Sequence, residues 1–154
     1  MTGMRVQLEQ LRRILDLPLP RIEQAQRIAA AIRAEGAYRW VGLYDVDLVR
    51  GVVVNVAWSG PHAPAHLSFP VSRGISSRAI SLGRTINVGD VTQDADYLTA
   101  LDGTRSEIIV PVLDGGLVVG TIDVESEYPD AFGPTAQRFL EQCAQTLQSF
   151  WTQA

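Results

Sequence analysis

The chain has 154 residues, of which 46% are hydrophobic and 19% are charged, and its net charge is −4 at pH 7. This length and composition predict one folded domain over residues 1–154 and argue against intrinsic disorder. All basic residues other than histidine are arginines scattered among acidic residues, so no basic stripe for nucleic-acid binding is expected.

Membrane insertion and secretion are not expected from the sequence. No apolar run approaches the roughly 20 residues that cross a bilayer. Residues 5–17 contain Arg, Glu and Gln where a signal peptide would have an apolar segment. The single cysteine, Cys143, cannot form an intramolecular disulfide, which favours a reducing compartment. We therefore expect a cytoplasmic protein.

Two helices are predicted at the start of the chain. An N-terminal helix lies within residues 1–19, and the second helix opens the core of the domain, residues 20–152. The segment Pro18–Pro20 separates the two, since proline is compatible with a first helical turn. The apolar positions at helical spacing are Leu8, Leu11 and Leu15 in the first helix, and Ile22, Ala25, Ala29 and Ile32 in the second.

The remaining pattern is rich in strands that follow one another closely. Strands are predicted at 39–44, 52–58, 85–88, 108–113 and 117–124, with a loop at 59–66, a short helix at 75–82 and a final helix from Pro134 to Trp151. Asp114-Gly115-Gly116 is a hairpin turn. Residues 89–105 form a long connection of the kind that often binds ligands.

This order predicts an α+β fold with a central antiparallel sheet. The N- and C-terminal helices cover one face, and a ligand pocket lies under loops on the other face. Apolar positions on the terminal helices exceed what one sheet face covers, so a homodimer through those helices is also expected.

Alternation along the strands predicts a cluster of acidic and aromatic side chains. Residues of equal parity share one face of a strand. Trp40 and Tyr44 therefore share a face of the first strand, and Asp123 and Glu125 share a face at the end of the hairpin. Glu107 begins the partner strand and is expected roughly opposite residue 123.

Three neighbouring ionised carboxylates repel each other and require a cation or raised pKa values. The cation is an arginine, a hard metal ion such as Ca²⁺ or Mg²⁺, or the ammonium group of a ligand. Adjacent aromatic faces favour an ammonium. The alternative is that the acids are solvated at strand ends and that Trp40 is an ordinary core residue.

Several stretches resemble the GAF family over roughly residues 20–152, and more narrowly its free methionine-R-sulfoxide reductase subgroup. They are Trp40-Val41-Gly42-Leu43-Tyr44, Arg73-Gly74-Ile75, Ser106-Glu107-Ile108-Ile109-Val110-Pro111 and Gly120-Thr121-Ile122-Asp123-Val124-Glu125-Ser126. The resemblance implies that the aromatic pair and the acids at 107, 123 and 125 hold an amino-acid substrate. At position 125 the subgroup has an aspartate, and this chain has a longer glutamate.

The catalytic cysteines of that subgroup are missing. The positions that match them hold His66, Ser76 and Ala100. Reduction of a sulfoxide by thiol chemistry needs an attacking thiolate and a second, resolving thiol. Cys143 lies in the apolar stripe of the last helix, where a thiol behaves as a small hydrophobic group. No catalytic residue is therefore assigned.

Other functions known in this family, and other chemistries, fit less well. The resemblance implies a lysine for cyclic-nucleotide binding and a pocket cysteine for bilin attachment, and the chain has neither. His62 and His66 flank Pro64 and do not form a helical metal-ligand pair. Ser76 and Ser77 lack a nucleophile-elbow context, and loop aspartates more often cap turns. No cofactor or metal is predicted.

The predicted function is binding of a small molecule, a free amino acid or another amine, without redox catalysis. The predicted ligand-binding residues are Trp40, Tyr44, Glu107, Asp123 and Glu125. Two alternatives stay open at this point: a dimerisation or interaction module with a vestigial pocket, and a divergent homologue of methionine sulfoxide reductase.

Overall fold

The computed structural model describes residues 2–99 and 101–153. The helices are α1 (Thr2–Asp16), α2 (Arg21–Gly36), α3 (Ser76–Leu82), α4 (Pro134–Thr146) and α5 (Gln148–Thr152). The strands are β1 (Trp40–Asp47), β2 (Val52–Ser59), β3 (Ser68–Pro70), β4 (Ile86–Val88), β5 (Ser106–Asp114) and β6 (Leu117–Ser126). Within these ranges, no helix combines the length and the apolar character needed to span a lipid bilayer.

The six strands form one sheet in the order β3-β2-β1-β6-β5-β4. Every neighbouring pair in this sheet is antiparallel. The prediction of an α+β fold on an antiparallel sheet is therefore confirmed. The two central strands, β1 and β6, come from distant parts of the chain, and this pairing places the first aromatic motif beside the acidic end of the hairpin.

The N- and C-terminal helices lie on one side of the sheet, as predicted, whereas α3 lies over the opposite face. Helix α2 packs on β1 and β2, whereas α4 and α5 pack on β5 and β6. Helix α1 lies outside this layer, against α2 and α4. Its buried side chains are Leu8, Leu11 and Ile14, because this stripe, rather than one ending at Leu15, faces both helices. In α2 the predicted stripe holds except at Ile22, which is 61% exposed.

The last helix differs from the continuous one that was predicted. It is interrupted at Leu147, where the backbone has ψ near 2°. The interruption turns α5 towards the sheet. Phe150 is buried there, and the indole nitrogen of Trp151 donates a hydrogen bond to the carbonyl oxygen of Tyr44 at 3.0 Å. Contact with the central strand thus determines this break, which helical periodicity alone does not reveal.

The hairpin β5–β6 has the predicted turn but a different register. Gly115 and Gly116 form its two-residue loop with φ angles of 57° and 84°, values that favour glycine. A bulge after residue 112 then shifts the pairing. Glu107 lies opposite Glu125 rather than opposite Asp123. The total shift is two residues, so all three acids keep their predicted face.

Strand β3 was not predicted. It is three residues long and lies at the edge of the sheet, beside β2. Its sequence, Ser-Phe-Pro, contains no apolar run from which a strand is recognised. Pairing of Phe69 with Val53 brings its ring to the helix-free face of the sheet. There the ring packs edge-on against Tyr44, with 5.8 Å between ring centroids.

Candidate functional site

A small cavity lies on the sheet face opposite α2, α4 and α5, beneath α3 and residues 94–99 and 101–104. It contains about 340 Å³ of space free of protein atoms, part of which opens to solvent. Its interior is narrow and holds about one water molecule. Three of the five predicted residues, Tyr44, Glu107 and Asp123, line it.

Strand pairing brings the acids to this cavity. Asp123 faces Gly42 of β1 on one side and Ile109 of β5 on the other. Asp123 is 6% exposed and Glu107 is 5% exposed. Ile109 lines the cavity together with these two acids. The alternative, in which the acids are solvated at strand ends, therefore does not describe Asp123 and Glu107.

Trp40 does not border the cavity. Its indole lies over Gly42, where a Cβ atom would overlap the ring and also come within 2.9 Å of Tyr44. The indole nitrogen donates a hydrogen bond to the carbonyl oxygen of His62 at 3.1 Å. With 0% exposure, Trp40 packs beside Tyr44 and supports that ring from behind. This packing corrects the expected position of Trp40 at the ligand surface.

Glu125 also lies behind the cavity lining rather than in it. Its Oε1 accepts a hydrogen bond from the hydroxyl of Thr104 at 2.5 Å and a longer one from the hydroxyl of Tyr97 at 3.4 Å. Both donors belong to the long connection before β5. Glu125 therefore ties this connection to the sheet, a role that alternation along the strand does not predict.

Buried polar atoms without a hydrogen-bond partner concentrate at this place. In the described part of the chain they are Thr121 Oγ1, Asp123 Oδ1 and Glu125 Oε2. All three belong to one face of β6, because their positions alternate. Buried polar atoms are nearly always satisfied in folded proteins. Because Asp123 lines the cavity, a donor in the cavity, either water or a ligand, can satisfy this carboxylate.

Burial raises the pKa of all three acids. For Glu107 the pKa lies well above its ordinary value, and the charges of Glu125 and Asp123 add to the effect of burial. Burial raises the pKa of Asp123 to about 8, and the nearby hydroxyl of Thr121 partly offsets this increase. The hydroxyl lies near Asp123 but does not form a hydrogen bond with its Oδ1. The pKa of Glu125 is raised less, because bonds from Thr104 and Tyr97 stabilise its charge. At neutral pH the cluster thus holds protons that a cation can replace.

Ion pairs and polar contacts hold the covering segment in place. Arg78 of α3 forms two hydrogen bonds with Asp94, at 2.6 and 3.2 Å, and one with Asp96 at 2.8 Å. At the other end, Arg39 donates to the carbonyl oxygen of Asp102 at 2.8 Å. These contacts place Leu98 and Thr99 over the cavity. A ligand larger than water enters only when this segment shifts.

Two of the positions that match the reductase cysteines also border the cavity. They are His66 and Ser76; Ala100 lies outside the described residues. Sequence reasoning missed Phe69 as a lining residue, because it comes from the unpredicted edge strand. Leu98 and Thr99 belong to the long connection that was expected to bind ligands.

Metal binding and the larger surface grooves are weaker candidates. Among the residues that the structure describes, no group of three or more His, Cys, Asp or Glu side chains is arranged to hold a metal ion. A groove of about 940 Å³ runs between α4 and β5 and includes Arg84 and Glu141. It is more open to solvent, and none of the unpartnered buried atoms belongs to it. The enclosed acidic cavity is therefore the candidate site.

Comparisons with known proteins agree with the predicted resemblance. The sequence model of the GAF domain matches residues 20–149. The structure of free methionine-R-sulfoxide reductase from Neisseria meningitidis, in complex with its substrate, is 29% identical with a TM-score of 0.86, covering 97% of this chain and 88% of that one. The type II enzyme from Thermoplasma acidophilum is 27% identical with a TM-score of 0.78, covering 84% and 91%.

The match to one curated relative covers a smaller share of that relative. Protein YtsP of Bacillus subtilis (strain 168) is 28% identical over 109 residues. The match spans 71% of this chain and 66% of YtsP, just under two thirds of that protein.

Proposed function

Because the chain belongs to the GAF domain family, a small-molecule-binding fold, we propose that its acidic cavity binds a small ligand through a cationic N–H group. The ligand is a free amino acid or another amine. Glu107 and Asp123 receive the cationic group, and Tyr44 contacts the adjoining part of the ligand. Glu125 acts through the covering segment, and Trp40 supports the ring of Tyr44.

The observation that carries this proposal is Asp123 Oδ1. This oxygen is buried and has no hydrogen-bond partner among the described residues, and Asp123 is one of the residues that line the cavity. An unpaired buried carboxylate costs several kcal/mol if it is ionised, and the raised pKa of Asp123 reflects that cost. A ligand cation removes the cost by supplying both the charge and the donor.

The proposed ligand is bound without redox chemistry. The sequence contains one cysteine, so the chain by itself cannot supply an attacking and a resolving thiol. Cys143 is 0% exposed, and burial raises its pKa to about 12, which keeps the thiol protonated at neutral pH. The likeness to methionine sulfoxide reductases therefore supports a shared pocket rather than a shared reaction.

Thermal unfolding of the full chain tests this proposal. Candidate ligands are methionine sulfoxide, methionine, butylamine and butylguanidine, with butanol as the uncharged match for the last two. A ligand at 100 times its Kd stabilises the fold by about 2.7 kcal/mol. For a domain of this size that raises Tm by roughly 5–10 °C. The proposal fails if none of the cationic compounds raises Tm more than butanol does.

We also propose that the chain acts as a cytoplasmic sensor and forms a homodimer through its terminal helices. Two exposed apolar side chains, Leu17 just after α1 and Ile22 in the first turn of α2, support a helix-mediated contact. Light scattering coupled to size-exclusion chromatography tests it. A measured mass equal to that of one chain at a concentration of about 10⁻⁴ M would contradict the proposed dimer.

A further inference from the structure

The chemistry of the cavity lining restricts the ligand further, an inference that rests on the proposed function. We propose that the cavity selects a guanidinium group on a ligand that has no carboxylate. The reasons are the arrangement of the hydrogen-bond acceptors, the charges around them and the aromatic rings beside them.

The acceptors are spread over two strands. Glu107 on β5 and Asp123 on β6 both line the cavity. Glu107 lies opposite residue 125, so Asp123 is its diagonal neighbour, and such Cα atoms are about 7–8 Å apart. Thr121 Oγ1, two residues along β6, is also without a partner but does not belong to the cavity lining. A guanidinium, with five N–H donors on three nitrogens, spans such a set better than one ammonium nitrogen.

Asp123 provides evidence for the site beyond the clustering of acidic residues. Asp123 is 6% exposed and lines the cavity, and its Oδ1 has no hydrogen-bond partner among the described residues. A carboxylate at this place offers two oxygens to a planar donor. The fork of a guanidinium matches a carboxylate through two parallel hydrogen bonds.

The surrounding charges disfavour a ligand carboxylate. The cavity lining includes no Arg, and the chain contains no Lys. Arg78 is paired with Asp94 and Asp96, and Arg39 donates to the backbone at Asp102. The one lining residue that can become cationic, His66, is exposed. A ligand carboxylate would therefore add negative charge beside buried acids without a paired cation.

Two aromatic rings complete the lining. Tyr44 and Phe69 both border the cavity and meet edge to face, with centroids 5.8 Å apart. A guanidinium is weakly hydrated and stacks on aromatic faces, whereas an ammonium is compact and strongly hydrated. Enclosure beneath residues 94–104 therefore penalises a guanidinium less than an ammonium.

Isothermal titration of the full chain at pH 8 with two matched pairs of probes tests the inference. Agmatine and arginine differ by the carboxylate, and butylguanidine and butylamine differ by the cationic group. We expect agmatine to bind at least tenfold more tightly than arginine, and butylguanidine more tightly than butylamine. In Asp123→Asn the affinity for butylguanidine should fall about tenfold or more, whereas the exposed control Glu127→Gln should bind as the wild type does.

The outcomes separate this inference from the proposed function. If arginine or methionine sulfoxide binds at least as tightly as agmatine, the ligand tolerates a carboxylate and the inference is overturned, while binding of a cationic ligand stands. Equal or tighter binding of butylamine than of butylguanidine also overturns it. If no probe binds, both the inference and the proposed function fail. The comparisons between probes use the wild-type chain and do not depend on a variant that folds.

Discussion

Replacement of Asp123 by asparagine should make the unliganded domain more stable at neutral pH. Burial raises the pKa of this carboxyl to about 8, whereas in the unfolded chain it is about 3.9. The folded state thus holds a proton that the unfolded state releases. Stability from this group is fully present below about pH 4 and is lost as the pH rises towards 8. Asparagine has nearly the same shape and no such proton.

The magnitude follows from proton linkage. One extra proton on the folded state lowers the free energy of unfolding by about 1.4 kcal/mol per pH unit. Between pH 5 and pH 7 the wild type should therefore lose about 3 kcal/mol through Asp123, and the raised pKa values of Glu107 and Glu125 act in the same direction. Asp94 acts in the opposite direction, since Arg78 lowers its pKa, but its effect falls below about pH 4.

Urea unfolding at pH 5, 6, 7 and 8 measures this effect, because urea is uncharged. Relative to Asp123→Asn, a variant that matches the protonated carboxyl, the wild type should be about 1–2 kcal/mol less stable at pH 5 and about 4 kcal/mol less stable at pH 7. Glu127→Gln makes the same change of charge at an exposed position and should keep the wild-type slope. A wild-type stability that is flat or rises from pH 5 to pH 7 would refute the reasoning, as would an Asp123→Asn slope equal to that of the control.

Three further predictions follow from the packing and charge of the site. Gly42→Ala should destabilise the fold by about 1–3 kcal/mol in urea unfolding, because its methyl group overlaps the indole of Trp40; unchanged stability would contradict the described packing. Cys143→Ser should cost about 1–3 kcal/mol by burying a hydroxyl among apolar groups, and the native thiol should not react with a thiol reagent such as DTNB under conditions that keep the chain folded. Binding of butylamine at pH 7 should release protons from the buried acids. The binding enthalpy measured by calorimetry should therefore vary with the ionisation enthalpy of the buffer. A binding enthalpy that does not depend on the buffer would argue against protonated acids in the free site.

Much of the site was accessible from parity along the strands. Alternation placed Tyr44, Glu107, Asp123 and Glu125 on one face, and this assignment survived a two-residue error in the register because the error was even. The same reasoning did not separate lining residues from supporting ones. Both Trp40 and Glu125 share the face of the cavity, yet neither borders it.

The sequence by itself determined the antiparallel α+β fold, the order of its main elements and the absence of a second thiol, because periodicity and composition are local properties of the chain. Tertiary structure alone decided which acids line the cavity. The indole of Trp40 packs over Gly42, and Glu125 accepts a hydrogen bond from Thr104 of an aperiodic connection. Contacts between residues distant in sequence determine both positions. The unpaired oxygen of Asp123 is therefore enclosed only after β1, β6 and the covering segment have come together.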